Sequence, residues 1–149
     1  MQEIEDAAKA CVCSNLRKLS RAITQFYKQL GPSGITITRL ALLRTISIGN
    51  SSTISKISKD MYMDRTTLTR NLDLLKKQDF IKIESSSDKR KRIVTMTNKG
   101  KAQMTKALPL WEGAQAIIIG KFGKGNWREI NTGLNEISNI ARYIIRVYT

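Results

Sequence analysis

The chain contains no histidine. That removes the side chain most often used as a general base near neutral pH and the commonest nitrogen ligand for a transition metal. Only two cysteines are present, Cys11 and Cys13. Without histidine or clustered acids they fall short of a four-ligand zinc site, unless a dimer shares four sulfurs. No apolar run is long enough to span a bilayer, so no membrane partner is expected. The N-terminus, Met1-Gln2-Glu3-Ile4-Glu5-Asp6, is acidic and has no apolar signal core behind it. A cytoplasmic protein is therefore expected, in which the cysteines persist as thiols rather than as a structural bridge. There is no nucleophile–base pair, no Gly-rich phosphate loop and no close acidic pair, so neither an enzyme nor a cofactor is expected. The exposed runs lack the aromatics on which RNA bases stack.

What the chain has in excess is positive charge. Lys and Arg number 26 against 12 Asp and Glu, a formal charge of +14 over 149 residues. Such a field draws polyanions, nucleic acid first and acidic membrane surfaces second. The length suits one domain (1–149) with a real core.

The stretch from Thr53 to Met96 organises the rest. Its centre is Asp64-Arg65-Thr66-Thr67-Leu68-Thr69-Arg70-Asn71-Leu72-Asp73-Leu74-Leu75-Lys76-Lys77. On a helix, Leu68, Leu72 and Leu75 share one narrow stripe, and Thr66, Arg70, Asp73 and Lys77 lie opposite, with Thr67 and Thr69 on the flanks. Asp64 is a natural N-cap. Alone this is an ordinary amphipathic helix, with Lys76 and Lys77 as exposed helix-end charges. Its surroundings say more. Thr53–Met61 reads as a short helix on Ile54, Ile57 and Met61, and Tyr62-Met63 leaves room only for a tight turn. Phe80-Ile81-Lys82-Ile83-Glu84 alternates like a half-buried strand, and Ile93–Met96 is a second β-prone run. The loop between them ends in four cations, Lys89-Arg90-Lys91-Arg92. Helix, turn, helix and basic hairpin in that order form a winged helix-turn-helix.

Elsewhere, residues 7–30 read as one helix on Val12, Leu16, Leu19, Ile23, Phe26 and Leu30, stopped by Gly31-Pro32-Ser33-Gly34. Thr36 caps a second helix on Ile37, Leu40, Leu43 and Ile46. Thr97 caps a long helix on Met104, Leu108, Trp111, Gln115 and Ile118, with Pro109 expected to bend it. Gly120, Gly123 and Gly125 mark a break. The last helix, 126–147, repeats Trp127, Ile130, Leu134, Ile137, Ala141, Ile144 and Tyr148 at three- and four-residue spacings, like a coiled-coil seam. Such stripes are buried most commonly in a twofold dimer, the alternative being a monomer whose end helices fold back on the centre.

Several of these segments together resemble the MarR family of dimeric bacterial transcription regulators. They are Asn15-Leu16-Arg17, Thr53–Ser58, Asp64–Leu72, Asp88-Lys89-Arg90, Met96–Gly100 and Leu108–Gln115, which cover nearly the whole chain in order. The family usually has an acidic or small residue where Lys56 stands, and Leu-Ala where Ile57-Ser58 stands. The resemblance implies a mainly α fold with a small β-hairpin wing. It implies a winged core at 36–97 and dimerisation helices at 7–30 and 98–149, the two ends of each chain interleaving with the partner's in a homodimer.

From the residues themselves, Thr66, Thr67 and Arg70 point to contact with base edges or nearby phosphates of double-stranded DNA. The resemblance places Thr69 and Asn71 beside them and makes Arg65 a backbone contact. It makes Arg90 the wing-tip arginine that enters the minor groove, and Asp88 the acid that orients the wing, where the plain reading is a turn-forming Asp. Lys89, Lys91 and Arg92 are phosphate contacts or solvated charge. Tyr27, Trp111 and Phe26 line an effector cavity by resemblance, or are simply core. Within one helix Cys11 and Cys13 would point apart and could not bridge. They are redox sensors, as in peroxide-sensing branches of the family, or small packing residues. The expected function is a dimeric regulator binding a palindromic operator, a repressor released by a small-molecule effector or an oxidant. The competing readings are a basic architectural protein that binds DNA without sequence preference and an RNA-binding module.

Overall fold

The computed structural model describes residues 1–49, 52–88 and 90–148. In chain order the elements are α1 (Gln2–Ala10), α2 (Val12–Phe26), a 3-10 segment (Tyr27–Ser33), α3 (Ile37–Ile48), β1 (Ser52–Thr53), α4 (Ile54–Met61) and α5 (Arg65–Lys77). β2 (Ile81–Ser85), β3 (Arg92–Met96), α6 (Asn98–Phe122) and α7 (Lys124–Tyr148) follow. The mainly helical fold with a small wing is thus as expected.

Side-chain caps decide where the central helices begin. Thr36 accepts from Arg39 N, Thr53 from Lys56 N and Asp64 from Thr67 N, and Thr97 Oγ1 accepts from Gly100 N at 3.0 Å. Each satisfies a donor that the first helical turn leaves unpaired. The ends are equally specified. After α4, Tyr62 (φ 51) takes the left-handed conformation, and Met63 N reaches back to Ser58 O at 3.1 Å. After α5, Asp79 (φ 60) does the same, and Phe80 N reaches Leu75 O at 2.9 Å. Both are Schellman turns with a side chain standing where glycine is usual.

The core joins α3, α4, α5 and the sheet. Leu42, Leu43, Ile46, Ile57, Leu68, Leu72, Leu75, Ile81 and Val94 are fully buried. Burial of each leucine or isoleucine contributes about 1.5–3 kcal/mol, so the leucine stripe of α5 cannot be traded for its polar face. That fixes which side of α5 faces solvent.

Three expectations are corrected. Residues 7–30 are not one helix: Cys11 is extended (φ −66, ψ 111) and separates α1 from α2. Its Sγ accepts from Ser14 N at 3.5 Å, while Asn15 Nδ2 donates to Lys9 O at 2.7 Å, so each side of the break has a polar partner. The segment from Tyr27 then tightens into 3-10 geometry around Pro32, and the Ser33 carbonyl accepts from the Gln103 amide. Second, the wing is not a bare hairpin. Besides the β2–β3 pairing (Ile81 with Met96 through Ser85 with Arg92), Ser52 and Thr53 pair antiparallel with Val94 and Ile93. Third, Gly123 alone breaks the chain between α6 and α7, at φ 98; Gly120 and Gly125 are helical.

The chain forms two compact units, residues 1–111 and 112–149, with α6 contributing to both. Neither α2 nor α7 has a buried residue among those described.

Candidate nucleic-acid interface

α5 turns Leu68, Leu72 and Leu75 into the core and leaves Arg65, Thr66, Thr67, Thr69 and Arg70 exposed, with Asn71 half-buried. The hydroxyl and then the N–H of Thr67 donate to the Asp64 carboxylate and hold its carboxyl below the usual carboxylate range. The Asn71 amide donates to Thr67 O at 2.9 Å. Thr67 and Asn71 are therefore engaged with the helix itself. Among the described residues, the side chains of Arg65, Thr66, Thr69 and Arg70 make no hydrogen bond or ion pair and remain available to a ligand.

Asp88 organises the wing tip. Its Oδ1 accepts from Arg90 N at 3.1 Å, its carbonyl accepts from Lys91 N at 2.8 Å, and its Oδ2 lies 3.7 Å from Lys91 Nζ. The last contact is solvent-exposed and adds little stability; the two backbone contacts shape the turn. Arg90, Lys91 and Arg92 are exposed, and Lys89 lies outside the described residues.

Two grooves flank α5. On one side Arg65 and Thr69 share a groove of about 310 Å³ with Thr53, Ile54, Ser55 and the wing's Arg90, Lys91 and Arg92. Tertiary structure thus brings the start of α5 and the wing tip to one groove across the twenty-five residues from Arg65 to Arg90. On the other side Thr66, Thr67, Arg70, Asn71 and Leu74 border a groove of about 680 Å³. Its far wall is Thr24, Tyr27 and Lys28 with residues 35–39. Sequence does not signal that wall: Thr36 reads as a cap only, and no periodicity reveals that α2 and α3 face α5 across this groove. Tyr27 is buried in this wall, and its burial pushes the phenol pKa up.

The three aromatics expected around one effector cavity part company. Trp111 lines an apolar cavity of about 270 Å³ with Ile37, Leu40, Ala41, Met104 and Leu108, where the Arg44 guanidinium sits 5.5 Å from the Trp111 ring centroid. Tyr27 belongs to the groove beside α5, and Phe26 packs edge-on to Tyr27 at 5.6 Å. Cys11 and Cys13 are exposed free thiols. Because Cys11 lies outside any helix, the constraint that would hold the pair apart in one continuous helix does not apply.

A leucine-backed helix between two cation-bearing grooves, with a basic strand loop at its start, defines a winged helix-turn-helix protein. The MarR family profile matches residues 35–92. The transcriptional regulator MosR of M. tuberculosis, solved in complex with DNA, is 31% identical with a TM-score of 0.81, over 90% of this chain and 98% of that one. A cysteine-to-serine mutant of MarR from E. coli complexed with operator DNA has a TM-score of 0.77 at 19% identity, over 91% of this chain and 95% of that one. AbsC, a MarR family transcriptional regulator from Streptomyces coelicolor, gives 0.77 at 20% identity, over 89% and 93%. These last two likenesses concern the fold alone. No curated protein sequence matches. The chain belongs to the MarR family of transcriptional regulators. No helix among the described residues is long and apolar enough to cross a membrane.

Proposed function

We propose that the protein is a homodimeric, sequence-specific DNA-binding repressor. Arg70 and Thr66, with Thr69 beside them, read base edges in the major groove, while Arg65, Lys91 and Arg92 take phosphates and Arg90 enters the adjacent minor groove. The observation that carries this reading is the single groove shared by Arg65 and Thr69 of α5 with Arg90, Lys91 and Arg92 of the wing. Lys89 extends the same cationic run in sequence, and Thr67, Asn71 and Asp88 hold the reading surface in shape. The winged core is 36–97, with 7–30 and 98–149 as dimerisation helices. In support, Ile130, Ile137 and Ile144 of α7 are 42, 43 and 48% exposed, an apolar row that a second copy would cover. A twofold dimer sets two recognition helices about 34 Å apart, one turn of B-DNA, against a palindrome. Selection of bound fragments from random duplex DNA tests the proposal: a recovered palindrome is expected, and recovery of no preferred sequence would favour the architectural reading that the charge of +14 also allows.

Release follows by either of two routes. The cavity beside Trp111 suits a small planar apolar effector with an anionic group for Arg44. The exposed thiols suit a peroxide. One thiol is oxidised to sulfenic acid as the peroxide is reduced, with loss of water or an alcohol, and the second thiol then displaces water from it to form a disulfide. Labelling by iodoacetamide at neutral pH checks this route, which fails if neither Cys11 nor Cys13 reacts faster than free cysteine.

A further inference from the structure

A helix seated in a major groove about 12 Å wide is bordered by two sugar-phosphate strands, one on each side. The wing supplies cations on one side of α5. Resting on the DNA-reading role of α5 given above, we propose that Lys28, Thr24 and Thr38 hold the phosphate strand on the opposite side.

The recognition helix sorts its own residues between the two grooves. Arg65 and Thr69 face the wing groove, whereas Thr67, Asn71 and Leu74 face the larger one, and the outermost surface between them carries Thr66, Arg70, Asp73 and Lys77. The far wall of the larger groove therefore stands where the second strand runs. Its chemistry suits a phosphate backbone: Lys28 is exposed, Thr24 and Thr38 offer hydroxyls, and Arg70 closes the near wall. Among the described residues, no acidic side chain lines either groove. The contributing elements, α2, the 3-10 segment and the first turn of α3, lie outside both the helix-turn-helix and the wing, so they extend the DNA-binding surface to a third part of the chain. Thr36 also lines the groove but is already committed as the cap of α3. Contacts of this kind fix the position of the protein on the duplex and carry no sequence information.

The test uses the full-length protein, the duplex recovered by selection and a random-sequence duplex of equal length. Lys28→Ala is expected to weaken both duplexes by a similar factor and to lower the slope of log affinity against log salt by about 0.9 per contact. Between 50 and 200 mM salt the variant then loses about 3.5-fold less affinity per contact than the wild type. Thr38→Val, which removes a neutral donor of the same shape, is expected to weaken both duplexes and leave the slope unchanged. If Lys28→Ala matches the wild type in affinity and slope while Lys91→Ala still lowers the slope, the far wall does not touch DNA and the proposal is overturned, though the role of α5 stands. If the wild type recovers no preferred duplex, the role of α5 itself is overturned, and this proposal with it.

Discussion

Gly100 sits in the first turn of α6, where a Cβ would lie 2.1 Å from Phe80 O, 2.9 Å from Met96 Cγ and 3.0 Å from Phe80 C. Ordinary contact begins at 3.4 Å, so Gly100→Ala forces the carbonyl or the helix to move by more than an ångström. Neither can move cheaply. Phe80 O accepts from Thr97 N at 3.0 Å, and Thr97 Oγ1 donates to Asp79 O at 2.7 Å. Overpacking at a backbone atom falls in the upper half of the usual range, about 2–3 kcal/mol. Loss of the Thr97–Phe80 hydrogen bond adds about 1 kcal/mol, and the better helix propensity of alanine offsets about 1 kcal/mol. The net expectation is a destabilisation of about 2–3 kcal/mol, or a fall in Tm of about 4–12 °C for a chain of this size. Thermal unfolding at matched protomer concentration measures it, with Gly120→Ala as the control, because a Cβ at Gly120 meets nothing within 4 Å. The control is expected to melt at or slightly above the wild type. If Gly100→Ala melts as high as the wild type, the junction between the end of α5 and the start of α6 is not the rigid joint inferred.

Arg70→Ala should weaken binding to the selected duplex by about 1–3 kcal/mol and flatten discrimination among sequences in a competition assay; an equal loss on random DNA would refute base reading. Ile137→Asp should dissociate the dimer in sedimentation at micromolar concentration, and an intact wild-type monomer under the same conditions would refute the dimer itself. The pKa of Asp64 is lowered in the folded state, so its cap contribution is fully present above the ordinary value of 3.8 and is lost as pH falls through the lowered one. The stability gap between wild type and Asp64→Ala should accordingly stay constant from neutral to mildly acidic pH and narrow only below that value; a gap that persists in stronger acid would refute the carboxylate cap.

Local chemistry was the legible part. Thr36, Asp64 and Thr97 declare themselves as caps because a short polar side chain ahead of an apolar-periodic run satisfies the first-turn donors in any context. Leu68, Leu72 and Leu75 declare an inward face, and Ile81-Lys82-Ile83 a half-buried strand, because each period has only one geometry that buries it. The less legible elements depended on partners distant in sequence. Ser52–Thr53 is too short to show a period and is a strand only because Val94 and Ile93 pair with it. Cys11 interrupts an otherwise unbroken helical pattern through its contact with Ser14 N and the contact of Asn15 with Lys9 O, neither of which periodicity registers.

Sequence alone therefore determined the family, from several segments in order along the chain, and it determined helix α5 and which of its faces meets solvent, since the latter follow from residue type and spacing along one element. Tertiary structure decided what stands on either side of that helix. The wing's arginines share a groove with Arg65, Lys28 and Thr38 stand across a second groove from Thr66 and Arg70, and Trp111 leaves Tyr27 for a cavity with Arg44. A groove is made by walls from separate elements, and their meeting is set by how the shared core packs.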